Sequence, residues 1–413
     1  MARTKRRLSC KTSYLRIQLR RAIRVSWIRA ILFLSTISAL ALSCRGFSVS
    51  KRAGTVLHVS HRGGGVERYY SDLIRNTKTY EHVVSTDLGT VIDVISTPRQ
   101  SNHRFVMHIH SAMLDSSMGW RILDLIRRVT RERGLVILTV HDFQWLLPQD
   151  PNNMANGPLE RANENDKRNT ITLFKLCDVV IFPSRFTKTE YDRVLGVYRA
   201  VSVVVPHPDY AVLHHVKRIT PFNSRIVNVG FFGEYSRRKG ARILFEVIDE
   251  LANLGLSANI TIFGQVLGAG SESLVQTAHL QGIHMYGRYR DDEIIETLDG
   301  YNLHLIAILS DVNETYCYAA THALNSGLPI LHTGRGALGE RLSAFHRAFD
   351  TSSGTLSSVL RRLVAFMRKE RATAKVSGRN TNNHIVFPKW YSVNYPHLAF
   401  TKLHMQKLMF LSH

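Results

Sequence analysis

The residues best suited to chemistry lie in one stretch, Asp311-Val312-Asn313-Glu314-Thr315-Tyr316-Cys317-Tyr318, which runs on through His322 to Gly327-Leu328-Pro329. Asn313 is a helix-capping residue type, which places Glu314 in the first turn of the helix that follows. A second candidate is His61-Arg62-Gly63-Gly64-Gly65-Val66-Glu67-Arg68. Its glycines let backbone approach a ligand closely, and a helix start offers free N–H groups to a phosphate. A tight strand-to-helix turn explains the same triplet, and it matches neither a Walker loop nor a dinucleotide fingerprint. Third come His108-Ile109-His110-Ser111 and His141-Asp142. Alternation puts His108 and His110 on one face, and histidines at two strand ends suit proton transfer as well as a structural role. Last, Gly233-Glu234-Tyr235-Ser236-Arg237-Arg238-Lys239-Gly240 places three cations at a helix start. They oppose the helix dipole there, so an anionic ligand is one reason for them and a solvated loop the other.

Each candidate follows a strand. Runs that are continuously apolar or β-branched predict strands over Thr55–Ser60, Phe105–His110, Leu135–Val140, Asp178–Phe182 and Val201–Val205. Helical spacing links Val66, Tyr69, Tyr70, Leu73 and Ile74, and again Ile122, Leu125, Ile126 and Val129. The polar stretch Pro206–Asn223 interrupts this rhythm. A second series follows: strands over Ile226–Phe232, Ile260–Phe263, Ile283–Tyr286, Leu303–Ile308 and Pro329–His332, with a helix over Ala241–Leu254. Two such series predict an α/β protein of two doubly wound, Rossmann-like domains facing a cleft, with ligands at the carboxyl ends of the strands. The expected boundaries are an extension over 1–52, a first domain over 53–210, a linker over 211–224, a second domain over 225–385, and a tail over 386–413 that can cross back to the first domain.

Composition supports a folded chain. Of 413 residues, 44% are hydrophobic and 21% charged. The net charge of +22 is concentrated: residues 1–52 hold 13 Lys/Arg and no acid, which leaves 41 cations against 32 anions in the rest. A nucleic-acid-binding protein is therefore a weak rival reading, because the body carries no basic stripe interleaved with aromatics. Cys10, Cys44, Cys177 and Cys317 are too scattered for a disulfide framework or zinc finger. The apolar run Ala30–Cys44 is shorter than a bilayer span. It fits a signal peptide or anchor, an interfacial helix, or a packed extension. The sequons Asn259-Ile260-Thr261, in an expected buried strand, and Asn313-Glu314-Thr315, in the candidate site, argue against a lumenal body. A cytoplasmic body peripheral to a membrane through residues 1–52 is the expectation.

From about Thr55 to Leu342 the chain resembles glycosyltransferase family 4, the retaining, nucleotide-sugar-dependent enzymes of GT-B fold. The segment Leu309–Leu342 is similar to the family's PETF-Y-x-x-x-EAL-x-x-GLPV pattern with its following glycine turn and glutamate. Gly63-Gly64-Gly65-Val66-Glu67-Arg68, His108-Ile109-His110, Val140-His141-Asp142, Pro183-Ser184-Arg185-Phe186, Pro206-His207-Pro208, Lys239-Gly240 and Gly287-Arg288-Tyr289 add matches in the family's order. The resemblance implies transfer of a hexosyl or deoxyhexosyl group from a nucleotide-sugar, bound mainly by the second domain, to a glycan or lipid-linked acceptor bound by the first. It implies no cofactor and no obligatory metal. His110, Glu314 and Lys239 take catalytic roles by this match. Gly63, Gly64, Gly65, Gly233, Arg237, Arg238, Gly264, Arg288, Thr315, Tyr316, Cys317, Tyr318 and His322 fall on the donor side, with the N–H groups of Thr315 to Tyr318 toward the diphosphate. His141 and Asp142 fall on the acceptor side.

Two departures stand out. The second glutamate of the family's pair is His322 here, and the arginine six residues before the lysine is Gly233. Within one helix, Glu314 and His322 would project to nearly the same side. Asp291-Asp292 reads as a solvated helix start. An inactive donor binder or an epimerase of the same fold is the alternative within this architecture.

Overall fold

The computed structural model describes residues 54–374 apart from 62, 78–79, 98–103, 112–117, 133, 149–161, 199, 208–221, 223–224, 267–275, 277–281 and 292. The expected extension over 1–52, the linker over 211–224 (save Phe222) and the tail over 386–413 lie outside the described residues. Ala53–Ile385 forms one compact unit.

Its first half carries β1 (Gly54–Val59), α1 (Gly64–Asn76), β2 (Glu81–Ser85), α2 (Leu88–Ser96), β3 (Arg104–Ile109), α3 (Ile122–Arg131), β4 (Leu135–Thr139), α4 (Glu164–Leu176), β5 (Val179–Phe182), α5 (Arg185–Leu195) and β6 (Ser202–Val204). The second half carries β7 (Ile226–Phe232), α6 (Ala241–Asn253), β8 (Ser257–Phe263), β9 (His284–Gly287), α7 (Ile294–Asp299), β10 (Leu305–Ile308), α8 (Tyr318–Ser326), β11 (Ile330–His332), α9 (Ala337–Leu342), β12 (Ala348–Asp350) and α10 (Leu356–Ala374). Each half is a six-stranded parallel sheet, ordered β2-β1-β3-β4-β5-β6 and β12-β11-β10-β7-β8-β9. Strand order therefore reverses between β1 and β3 in one sheet and between β7 and β10 in the other. In open α/β sheets that reversal opens the crevice where ligands bind.

The central strands are apolar because both faces are covered. All six residues of β1 are buried, as are the last four of β7 and of β8. Leu57, Met107 and Leu138 belong to the core of the first half, and Val229, Ile262 and Leu305 to one of two in the second. The ten expected strands all form. The two edge strands β2 and β12 escaped the sequence reading, because their half-exposed residues lack the apolar run that marks a buried strand. Asn259 is exposed at the start of β8 and not buried as expected, so its sequon carries less weight against a lumenal body than the strand alone suggests. Among the described residues no helix is long and apolar enough to cross a membrane.

Candidate active site

At the reversal point of the second sheet, the loop after β7 meets the loop after β10. Lys239 Nζ lies 2.6 Å from Glu314 Oε1, and Ser310 Oγ donates to the same oxygen at 2.6 Å. Burial is the largest influence and works to lower the Lys239 pKa, but the charge and hydrogen bond of Glu314, with Cys317 and Glu234, together outweigh it and hold the amine above its ordinary value. The loop is fixed by glycines that cannot be replaced without movement. Gly240 has φ +91°, and a Cβ there would sit 1.9 Å from Leu309 O. A Cβ on Gly264 would sit 1.7 Å from Gly233 O, so these two candidates pack backbone to backbone. Arg237, Arg238 and Arg288 are solvent-exposed beside this floor.

The helix after β10 begins later than expected. Asn313 is not its cap and Glu314 is not in its first turn: α8 starts at Tyr318, with Cys317 at the N-cap in a left-handed conformation, φ 70°. Glu314 instead bridges to Gly336 in the glycine turn after β11, and Ala337 N donates to its carbonyl at 2.7 Å. The reason lies in a contact across the chain. An extended segment that pairs with a second loop satisfies its backbone there, so the helix waits until Tyr318. Glu314 and His322 therefore do not share a helix face. A non-glycine residue held at positive φ is strained, and such strain gathers at functional sites.

In the first sheet, the reversal point is lined by imidazoles. His110, just past β3, is fully buried; its Nδ1 lies 3.2 Å from His141 Nε2 and its Nε2 3.0 Å from His58 Nδ1. Burial and the neighbouring histidines hold His110 and His207 well below the ordinary histidine range, and burial takes His141 to about 3. These three imidazoles are thus polar but uncharged at neutral pH. Asp142 accepts from Gln144 N at 2.9 Å, and burial raises its pKa to about 6. The glycine triplet opens α1. Gly63 and Gly64 have φ +95° and +66° with nothing within 4 Å of an added Cβ, whereas a Cβ on Gly65 would lie 3.1 Å from the Tyr318 ring.

The two sets of loops meet. Thr315 Oγ1 donates to His141 O at 2.5 Å, and Tyr316 Oη to His207 O at 2.7 Å. Tyr69 packs on His110, His141 and His207, with ring centroids 5.6, 5.0 and 4.4 Å away, and His207 packs on Tyr318 at 5.7 Å. Glu340 accepts from the N–H groups of Arg185 and Phe186 at 3.1 and 2.9 Å, so a carboxylate of α9 caps the start of α5 across the junction.

Asp291 is exposed just ahead of α7, as the sequence suggested, but it is also paired: its Oδ1 lies 2.8 Å from His322 Nε2 and 2.7 Å from Arg68 Nη1. Arg68 also lies 4.4 Å over the Tyr318 ring. A carboxylate thus stands next to the histidine that replaces a glutamate, supplied from another loop. Sequence reasoning missed Asp291, Arg68 and His58, since neither their spacing nor their types distinguish them from surface charges and core residues.

No family model matches the sequence, and no curated protein matches it. Many solved structures are similar in fold, among them the following three. Sucrose-phosphate synthase from Thermosynechococcus elongatus aligns at TM-score 0.54 and 12% identity, over 87% of this chain and all of its own. Anabaena HepE in complex with UDP and glucose gives 0.51 and 15%, over 87% and 99%. The catalytic domain of starch synthase IV from Arabidopsis thaliana, bound to ADP and acarbose, gives 0.57 and 11%, over 86% and 100%. The fold is GT-B. At such low identity the likeness is one of architecture, two parallel-sheet α/β lobes of six strands each. Within a GT-B frame, the Lys239–Glu314 pair and the histidines occupy the strand-end loops of opposite lobes.

Proposed function

We propose that the chain is a retaining glycosyltransferase of family 4 type, moving a hexosyl or deoxyhexosyl group from a nucleotide-sugar to a glycan or lipid-linked acceptor. The observation that carries this reading is the part-buried Lys239–Glu314 pair at the reversal point of the second sheet. Breaking the anomeric C–O bond sends negative charge onto the diphosphate and positive charge onto the sugar, so a site needs one fixed charge for each. Lys239 meets the diphosphate together with the N–H groups at the start of α8, and Glu314 faces the sugar. Donor binding would draw Lys239 off Glu314 and leave the carboxylate available to the developing oxocarbenium ion. His110 and His141, neutral by burial, meet the acceptor side as hydrogen-bonding groups rather than charges. Transfer then passes the acceptor's proton to the leaving phosphate, with no protein nucleophile and no metal in the step. Residues 1–52, basic and apolar, would bring the enzyme to a membrane surface.

A donor-binding relative without transfer is the second reading, favoured by His322 in place of the second glutamate. A thermal-shift screen against UDP-, GDP-, dTDP- and ADP-sugars tests both. Stabilisation by one nucleotide class is expected, followed by sugar transfer to an added glycan or lipid acceptor. Binding without turnover selects the second reading, and a chain stabilised by none of the four overturns both.

A further inference from the structure

The first lobe holds a group of buried histidines of which the transfer reading uses only His110. His58 of β1, His108 of β3 and His110 are each 0% exposed, and one ring nitrogen from each lies within 4.8 Å of the others. The sheet makes this arrangement. His58 is the register partner of His108, and His110 lies two residues further on, so all three rings rise from one face. Three wholly buried imidazoles without a carboxylate among them are an unusual core, because histidine is seldom so deeply buried in numbers.

Each ring also has a second contact that would orient it. His58 Nε2 lies 3.0 Å from His82 Nδ1, His108 Nε2 lies 2.8 Å from Thr139 Oγ1, and His110 Nδ1 lies 3.2 Å from His141 Nε2. One end of this chain is fixed by chemistry. His82 Nε2 faces the Thr77 carbonyl and hydroxyl at 3.0 Å each, and the hydroxyl proton is already given to Leu73 O. Both oxygens can only accept, so His82 carries its proton on Nε2 and accepts on Nδ1. His58 must then donate from Nε2, which leaves a bare lone pair on its Nδ1, pointed at His110. Outer partners that set the tautomer and aim the lone pair are what ligating histidines ordinarily possess.

We propose that His58, His108 and His110 bind a first-row transition metal ion of the zinc class. Neutral imidazole suits Zn²⁺, Co²⁺, Ni²⁺ and Cu²⁺, whereas Mg²⁺ and Ca²⁺ require oxygen ligands that the trio lacks. Metal–nitrogen bonds of about 2.0–2.1 Å place tetrahedral ligands about 3.3 Å apart, so the 3.0 Å separation of His58 Nδ1 and His110 Nε2 needs to open only slightly. On binding, His110 moves its proton from Nε2 to Nδ1 and donates it to His141 Nε2, and His141 carries its own on Nδ1. No net proton is released. The ion fixes His110 and so positions the acceptor side, and it takes no part in the transfer step proposed above. This inference does not depend on that step.

The test uses the full chain, stripped with a chelator and then titrated with ZnCl₂ and CoCl₂. About one ion per chain is expected, with a melting temperature raised by zinc and a visible cobalt spectrum of a nitrogen-ligated site. His58→Gln and His108→Gln should each abolish both, with folding checked by circular dichroism, while the exposed His284→Gln should leave them unchanged. His82→Gln keeps the trio but loses the orienting partner, and should weaken zinc binding about 10–100-fold. A wild-type chain that takes up neither ion at micromolar concentration overturns the proposal whether or not the variants fold. Unaltered uptake in folded His58→Gln and His108→Gln overturns it as well. Loss of donor stabilisation with zinc uptake intact would count against the transferase reading alone.

Discussion

The two lobes place their polar residues at equivalent points, where strand order reverses, but fill them with opposite chemistry. In the first, between β1 and β3, His58, His108, His110 and His141 make a polar but carboxylate-free lining beneath Tyr69 and Tyr70. In the second, between β7 and β10, Lys239 and Glu314 form an ion pair on a floor of tightly packed glycines. A topology of this kind decides where a site forms, and the residues after each strand decide what it can bind. A neutral, hydrogen-bonding surface suits an uncharged acceptor, whereas fixed charges suit a leaving diphosphate.

Packing gives the largest expected difference between the lobes. Gly240→Val drives a Cβ into Leu309 O from a left-handed conformation, and should lower unfolding free energy by roughly 3 kcal/mol or more. Gly63→Ala meets open space and costs only the backbone strain of its φ +95°, ψ 162° conformation, about 1–3 kcal/mol. Urea unfolding of the two variants measures the contrast. Equal losses would show that the glycine loop of the first lobe is as tightly built as that of the second, and so not open to a ligand.

Charge gives the next. Lys239→Ala removes one charge-assisted contact to the diphosphate, so donor affinity should fall by roughly 1.5–3 kcal/mol, about 10–100-fold. Glu314→Gln should lower the transfer rate more than donor affinity, because the carboxylate acts on charge that develops only in the transition state. Isothermal titration and initial rates separate the two effects. Unchanged affinity in Lys239→Ala would remove the second lobe's ion pair from the donor site.

Much of this contrast was legible in the sequence, but unevenly. Buried parallel strands announce themselves as apolar runs, so Thr55–Ser60 and Ile226–Phe232 were placed almost to the residue. Edge strands do so only where they are apolar, as in β6: Glu81–Ser85 alternates only weakly, and with it His82 was lost. The start of α8 was misplaced because Asn313 has the chemistry of a cap, whereas pairing between Glu314 and Gly336, residues 22 apart in sequence, overrode it. Asp291 was lost for the same reason, since its partners Arg68 and His322 are distant in sequence. Local propensity sees a residue's neighbours along the chain, and these residues are placed by neighbours across it.

His322→Glu sharpens the comparison at the junction. The new carboxylate would stand where His322 Nε2 now lies 2.8 Å from Asp291 and 3.2 Å from Arg68 Nη1. Two carboxylates on one guanidinium should lower stability by about 1–2 kcal/mol, and Asp291→Asn in the same chain should restore most of it. A His322→Glu chain as stable as the parent would show that Asp291 turns to solvent and leaves room at position 322 for the glutamate that the family resemblance expects.

The smallest expected effect is the share that His322 and His304 add to the larger pH dependence set by His110, His141 and His207. Burial holds the His322 pKa below its ordinary 6.5, although the Asp291 hydrogen bond opposes it, and burial likewise lowers His304 beneath the second sheet. In the unfolded chain both would take up a proton near pH 6.5, while in the folded chain they remain neutral to lower pH. The unfolded state therefore binds more protons in that window, and stability rises with pH through it. Melting temperature should fall as pH drops below 6.5 and level off once the folded histidines protonate as well. Asp291→Ala removes the interaction that raises His322, so its slope below pH 6.5 should steepen. A slope that flattens instead would mean that His322 is protonated in the folded chain and paired as a cation with Asp291, which would make the second lobe's ribose side charged rather than neutral.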